Sequence, residues 1–192
     1  MAFHPRAIPA AILALMALAG SATAQETPAL PEPFEAAVHN DWSIMCERTD
    51  TVEATNCEMY QLLRDASGSP IAEISVVALP FGAEFAAGAT ITTPLETFLP
   101  TGMGWHIGSA EDMRVEPFRV CTVVGCIVRM GLNVEDIDAM KAGAQATITI
   151  APFVQIEQPI EIAVSLSGFT AAYDDLQTRL SEEVAAQRSQ GN

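Results

Sequence analysis

The chain has 192 residues, of which 49% are hydrophobic and only 17% are charged. Nine Lys and Arg residues stand against 24 Asp and Glu residues, which gives a formal net charge of −15 at pH 7. A surface this acidic repels nucleic acid and anionic lipid, and no stripe of basic residues offsets it, so binding to nucleic acid is excluded as a function.

The first 24 residues have the three-part pattern of a secretory signal peptide. A short start that carries Arg6 precedes a nearly all-apolar stretch, residues 7–20, and Ala22-Thr23-Ala24 is an A-x-A cleavage site. The sequence therefore predicts cleavage between Ala24 and Gln25 and a periplasmic or secreted protein. The cleavage site argues against the alternative, a retained N-terminal anchor.

The remaining 168 of the 192 residues suit one domain. No later stretch approaches the length of a bilayer span, so no membrane span is expected in the mature form. Residues 25–40 are rich in Pro and Glu and are predicted to be a flexible leader. The domain is predicted to cover residues 41–186, and residues 187–192 are expected to fray.

About eight β-strands are predicted in this domain from apolar runs, period-2 alternation and turn clusters. The first is assigned to residues 42–46, and the clearest alternation lies in residues 145–150 and 160–166. Two apolar arms within residues 118–132 predict a β-hairpin. They flank a four-residue loop, residues 122–125, in which Gly125 supplies a positive φ.

All four cysteines follow the predicted cleavage site, and an even number in an exported chain indicates disulfides with three possible connectivities. Cys121 and Cys126 face each other across the predicted hairpin, within disulfide range. We therefore expect pairing between sequence neighbours, Cys46–Cys57 and Cys121–Cys126, because each pair brackets a predicted hairpin.

Two helices interrupt the β pattern. Asn133 is predicted to cap a short internal helix, with Asp136 reaching back to the cap and Gly143 ending the helix. The C-terminal segment changes to an amphipathic helix, with one apolar face at steps of three and four: Phe169, Tyr173, Leu176, Leu180 and Val184. A face this regular is expected to pack against the domain or a partner.

Consecutive β runs without long helices between them favour stacked antiparallel sheets over βαβ units. The predicted fold is therefore mainly β, an antiparallel β-sandwich with one short internal helix and a C-terminal amphipathic helix.

Five short motifs follow one another behind the signal peptide. They are Asp41-Trp42-Ser43-Ile44-Met45-Cys46, Cys57-Glu58-Met59-Tyr60-Gln61, Phe118-Arg119-Val120-Cys121 with Gly125-Cys126, Met140-Lys141-Ala142-Gly143, and residues 164–172. In this order, over roughly residues 41–176, they resemble the invasion-associated locus B (IalB) family of bacterial envelope proteins. The chain departs from the family pattern at Ser167, where a basic residue is frequent, and at Pro94-Leu95-Glu96, which replaces a Pro-x-Gly segment.

The resemblance implies an exported, immunoglobulin-like β-sandwich of Gram-negative bacteria. One branch of the family is associated with virulence through entry into host cells. The family has no settled enzymatic activity, so the resemblance supplies no catalytic residues.

Metal and redox sites are not indicated by the spacing of the cysteines. Ten residues separate Cys46 from Cys57, unlike zinc ligands, and C-x₄-C in a hairpin differs from the C-x-x-C of redox helices. A hydrolase would need a nucleophile and a base, and the sequence has no G-x-S-x-G motif. His39 near Asp41 is a weak indication of a pair that orients a serine nucleophile. His106 is the other histidine of the mature chain.

We therefore expect an exported, non-enzymatic envelope protein that binds a macromolecule, in host-cell invasion or envelope maintenance. No cofactor and no metal are expected, and the partner, a protein or another envelope component, is not identified by the sequence. The alternative is a periplasmic hydrolase with an unrecognised site, which a pocket joining His106 to Ser and acidic side chains would favour.

Overall fold

The computed structural model describes residues 30–48 and 54–190, so the predicted cleavage site at Ala24 and Gln25 lies outside the described residues. Eleven strands and two α-helices form within this part of the chain. The strands are β1 (Glu32–His39), β2 (Trp42–Arg48), β3 (Thr55–Arg64), β4 (Pro70–Ala78), β5 (Ala87–Thr93), β6 (Met103–Ile107), β7 (Arg114–Glu116), β8 (Phe118–Thr122), β9 (Gly125–Leu132), β10 (Gln145–Ile150) and β11 (Ile160–Ser165). The helices are α1 (Val134–Ala142) and α2 (Phe169–Gln190).

The strands form two antiparallel sheets. One sheet has seven strands in the order β1-β2-β3-β4-β5-β9-β8, and the other has four in the order β11-β10-β6-β7. Alternate side chains of both sheets share one buried core with the first turns of α2. The largest side chains buried there are Trp42, Trp105 and Phe169. The predicted mainly β, antiparallel fold with a short internal helix and a C-terminal helix is confirmed.

The predicted leader, residues 25–40, is wrong for the part that the structure describes. Residues 32–39 form β1, which pairs with β2 at the edge of the seven-stranded sheet, for example at Phe34 opposite Cys46. The Pro-rich composition pointed away from a strand because Pro33 lacks a backbone N–H donor. An edge strand tolerates proline, and β1 is an edge strand. The domain therefore begins before residue 41.

The predicted frayed tail, residues 187–192, is also wrong in its described part, because α2 continues to Gln190. The extension is rich in good helix formers, and the side chain of Gln187 donates to Glu183 one turn earlier, at 3.4 Å. Of the helices that the structure describes, none is long and apolar enough to span a membrane.

Both predicted helices form, and α1 begins and ends where expected. At the start of α1, Asn133 accepts from the backbone N–H of Asp136 at 2.8 Å, and the Asp136 carboxylate accepts from the N–H of Asn133 at 3.0 Å. This reciprocal pair is the predicted capping box. On α2, Phe169, Tyr173 and Leu176 are buried.

The predicted hairpin forms from β8 and β9, with a shorter loop than expected. Thr122 pairs with Gly125, so only Val123 and Val124 lie in the turn. Gly125 has φ +153°, and a Cβ there would collide with the carbonyl oxygen of Thr93. The glycine is therefore needed both for its backbone angle and for the close approach of β5.

Both disulfides join the pairs that the sequence predicted. Cys46 on β2 is linked to Cys57 on β3, and Cys121 on β8 is linked to Cys126 on β9. Each bond crosses between neighbouring antiparallel strands. The second holds the hairpin closed next to its turn, and so fixes the position of the hairpin tip.

Candidate functional site

The tip of the β8–β9 hairpin projects two valines into solvent. Val123 is 95% exposed and Val124 is 73% exposed, although both are strongly apolar. Strand pairing places Cys126 opposite Thr93, the last residue of β5. The hairpin tip therefore lies beside the connection that leaves β5.

The β5–β6 connection is joined to the β10–β11 connection. The backbone N–H of Phe98 donates to Ala151 at 2.7 Å, and the N–H of Phe153 donates to Glu96 at 2.7 Å. The rings of Phe98 and Phe153 also lie with their centroids 6.3 Å apart. These links bring two connections, more than 50 residues apart in the chain, to the same end of the sandwich.

This end of the sandwich exposes apolar side chains from three connections. We call it the apolar end and define it by Leu95, Leu99, Val123, Val124, Phe153, Val154 and Ile156, all of which are exposed. Single exposed apolar residues are ordinary, but a set drawn from adjoining loops is typical of an interaction surface. The chemistry available here is apolar contact, with Glu96 and Glu157 as exposed charges among these residues.

The hydrolase alternative can be examined at His39 and Asp41, which the structure places at the turn between β1 and β2. His39 Nε2 lies 2.9 Å from the Asp175 carboxylate of α2, which also accepts from Arg179 Nε at 2.8 Å. Burial raises the pKa of Asp175, but the hydrogen bonds from His39 and Arg179 outweigh it and hold the pKa below its usual value. Here His39 anchors a helix.

Asp41 takes part in a second, separate arrangement. It accepts from the hydroxyl of Ser165 at 2.6 Å. The side chain of Gln61 is buried and bridges the backbones of Asp41 and Ser165, and the indole N–H of Trp42 donates to the carbonyl of Ser165 at 2.9 Å. These bonds join the first and last sequence motifs, so the polar residues of both motifs hold the two sheets together.

His106, the other histidine, is 8% exposed on β6, and its Nδ1 lies 3.1 Å from the carbonyl oxygen of Gly108. Within residues 30–48 and 54–190, the structure gathers no group of three or more His, Cys, Asp or Glu side chains placed to hold a metal ion. His39, Asp41 and Ser165 thus make contacts between separate elements of the fold.

The apolar end was not predicted from the sequence. Its members lie in connections between strands, and apolar residues in a connection carry no periodic signal. The one available sign was the density of large apolar residues in residues 152–156 and 122–124, where turns are ordinarily polar.

Comparisons with known proteins identify the family. A family model for the invasion associated locus B (IalB) protein matches residues 42–177. An invasion protein B homolog of Brucella abortus (strain 2308) is 24% identical over 172 residues, which cover 82% of each chain, and its counterpart in strain 9-941 matches equally. The crystal structure of invasion associated protein B from Bartonella henselae superposes with a TM-score of 0.62 at 20% identity, over 80% of this chain and 99% of that one. The chain therefore belongs to the invasion associated locus B (IalB) family.

Proposed function

We propose that this protein is an exported, non-enzymatic envelope protein that binds a protein partner through its apolar end, in host-cell invasion or envelope maintenance. The observation that carries the proposal is the exposure of the apolar end on an otherwise strongly acidic protein. Leaving Val123, Phe153 and their neighbours in water is unfavourable, at about 25 cal/mol per Å² of apolar surface. A partner that covers them recovers that free energy.

The geometry of the apolar end supports recognition by a folded surface. The Cys121–Cys126 bond fixes the tip of the hairpin, and the Phe98–Phe153 contact joins the other two connections to each other. Side chains held on a rigid frame lose little conformational entropy when a partner binds. The surrounding negative charge keeps the free protein soluble and disfavours association between copies of the same chain.

Export is supported by the pattern of residues 1–24 and by the cysteines. Disulfides persist in oxidising compartments, and all four cysteines stand in strand positions that bridge neighbouring strands. The relatives named invasion protein B and invasion associated protein B support a role in invasion.

The non-enzymatic part of the proposal is supported by the two polar pairs. His39 contacts Asp175, while Ser165 contacts Asp41, so the groups that a hydrolase would combine are engaged separately. A fluorophosphonate probe, which labels activated serines, is therefore expected to leave Ser165 unmodified. Covalent labelling of Ser165 would contradict this part of the proposal.

The partner-binding part is tested by capture from envelope extracts with the purified mature protein. Val123→Ser with Val154→Ser removes two exposed apolar side chains from the apolar end and should abolish capture without lowering the melting temperature. Phe81→Ser with Val134→Ser is the matched control, because both residues are exposed but lie outside the apolar end. Equal capture by the wild type and by the first variant would refute the proposed surface.

A further inference from the structure

The two disulfides differ in their exposure to solvent. Each has one cysteine in the core, since Cys46 and Cys126 are both 1% exposed. Their partners differ, because Cys57 is half-buried whereas Cys121 is exposed. Thiol–disulfide exchange begins when a thiolate approaches one of the two sulfur atoms, so its rate depends on access to the bond. The Cys121–Cys126 bond is therefore the more open of the two to attack from solvent.

Neighbouring elements cover the Cys46–Cys57 bond. The strands that carry it, β2 and β3, lie inside the seven-stranded sheet, with β1 and β4 on either side of them. Cys57 lines a cavity of about 340 Å³ beneath α2, together with Leu180 and Glu183. Glu183 accepts from the hydroxyl of Thr55 at 2.7 Å, and its negative charge disfavours the approach of a thiolate. A cavity of this size admits a small molecule but not the active site of a protein.

Cys121, by contrast, lies on the last strand of its sheet. Among the strands that the structure describes, β8 pairs with β9 alone, so its other edge is free. Four of the five residues of β8 are exposed, and the pairing with β9 is irregular at Arg119. The free edge leaves room for a second protein to lie beside Cys121.

The turn of this hairpin is closed although its residues do not favour a tight turn. Val123 and Val124 are β-branched, and neither has a positive φ. Two-residue hairpin turns ordinarily need a positive φ at the first or at both positions, because other turn types splay the strands. Within the turn, the backbone N–H of Val124 donates to the hydroxyl of Thr122 at a long 3.3 Å. The Cys121–Cys126 bond therefore holds the turn closed.

We propose that the Cys121–Cys126 bond is a thiol–disulfide exchange site for a dithiol protein of the thioredoxin class, and that its reduction releases the hairpin tip. A thiolate of the reductant bonds to Sγ of Cys121, while Sγ of Cys126 leaves and takes up a proton. The second thiol of the reductant then attacks the mixed disulfide, and Sγ of Cys121 leaves and is protonated in turn. The reductant gives up two electrons and becomes a disulfide, while this chain gains two thiols.

Reduction is compatible with an intact sandwich. Pairing between β9 and β5 extends from Cys126 to Leu132 and does not involve the disulfide, so β9 keeps its place in the sheet. The turn and β8 lose the bond that closes them. The cysteines are here the substrate of the exchange and not a catalytic pair, so the proposal does not need C-x-x-C spacing. It also does not rest on partner binding by the apolar end, although Val123 and Val124 belong to that surface.

The probe is thioredoxin in which the second cysteine of the C-x-x-C motif is replaced by serine, so that the mixed disulfide persists. It is incubated with the folded, oxidised mature protein, and free thiols are then blocked with N-ethylmaleimide. Fragmentation of the peptides by mass spectrometry locates the adduct. We expect the adduct on Cys121 and the blocked thiol on Cys126. An adduct mainly on another cysteine, or no adduct, would overturn the proposal.

Two double variants, each with one remaining disulfide, compare the bonds directly. Cys46→Ala with Cys57→Ala keeps the hairpin bond, and its adduct should form within about twofold of the wild-type rate. Cys121→Ala with Cys126→Ala keeps the other bond, and adduct formation should be slower by about tenfold or more. Equal rates for the two variants would contradict the proposal. The location of the adduct on the wild type gives the same test if either variant fails to fold.

Hydrogen exchange before and after reduction by unmodified thioredoxin tests the release of the hairpin tip. The amides of residues 118–125 that are protected in the oxidised protein should exchange about tenfold faster or more after reduction. Those of β10 (Gln145–Ile150) are the control and should be unchanged. Unchanged exchange in residues 118–125 would refute release of the tip, and faster exchange throughout the sheets would show that reduction unfolds the domain and would overturn the proposal.

Discussion

The indole ring of Trp42 meets the phenyl ring of Phe169 edge to face, with centroids 5.5 Å apart and planes at 74°. Phe169 in turn stacks on Tyr173 at 5.9 Å, so β2 and the first turn of α2 share one aromatic cluster. Gly168 makes this contact possible. Its φ is +86°, and a Cβ there would collide with the carbonyl of His39. The C-terminal helix is therefore part of the core.

Phe169→Ala should destabilise the protein strongly. Phe169 is fully buried, and truncating a buried Phe costs about 3–5 kcal/mol, a large share of the stability of one domain. Thermal unfolding of the purified mature protein should show a lower melting temperature by several degrees or more. Phe81→Ala is the control, because Phe81 is fully exposed and its truncation should change little. A melting temperature unaffected by Phe169→Ala would show that α2 does not contribute to the core.

Removing the two disulfides should have unequal effects. Chain-entropy estimates give about 3 kcal/mol for the longer Cys46–Cys57 loop and about 2 kcal/mol for the Cys121–Cys126 loop. The free energy of unfolding, measured with denaturant, should therefore be lower for the double variant Cys46→Ala/Cys57→Ala than for the double variant Cys121→Ala/Cys126→Ala. The reverse order would contradict this estimate. It would mean that the Cys121–Cys126 bond contributes more stability than the entropy of closing its own loop.

Patterns that are local in sequence predicted their elements well. The alternation in β10 and β11 reflects one buried face, and the capping box of Asn133 and Asp136 involves only four consecutive residues. By contrast, β1 and the last turns of α2 were missed. Residues 32–39 become a strand through pairing with β2, a partner that composition does not reveal.

The candidate site was harder to predict because it depends on which loops meet. Phe98 and Phe153 lie 55 residues apart in the chain and come together only because β5, β6 and β10 bring their connections to one end.

Glu58→Gln should stabilise the protein at neutral pH. Because the pKa of Glu58 is raised in the folded state, the folded protein binds a proton more readily than the unfolded chain does. The ionised Glu58 carboxylate therefore destabilises the folded protein at pH values above its folded-state pKa. This destabilisation is lost as the pH falls through that pKa.

The stabilisation is expected to stay below about 1 kcal/mol, since the group is partly exposed and screened. The free energy of unfolding of both proteins is measured with urea at about pH 7, where carboxyl groups are ordinarily ionised, and at about pH 4, within their usual range of titration. The advantage of Glu58→Gln over the wild type should shrink at the lower pH. Glu161→Gln, which removes one charge at an exposed position on β11, is the control for the change in net charge. An advantage that grew as the pH fell would contradict the raised pKa.

Site-specific photo-crosslinking in intact cells tests whether the apolar end contacts a partner in the envelope. A photoreactive phenylalanine analogue is placed at Val123, within the apolar end, or at Phe81, which is equally exposed but outside it. We expect a discrete crosslinked product, recovered with the envelope fraction, from position 123 and not from position 81. Crosslinking from position 81 alone, the same products from both positions, or no product from position 123 would contradict it.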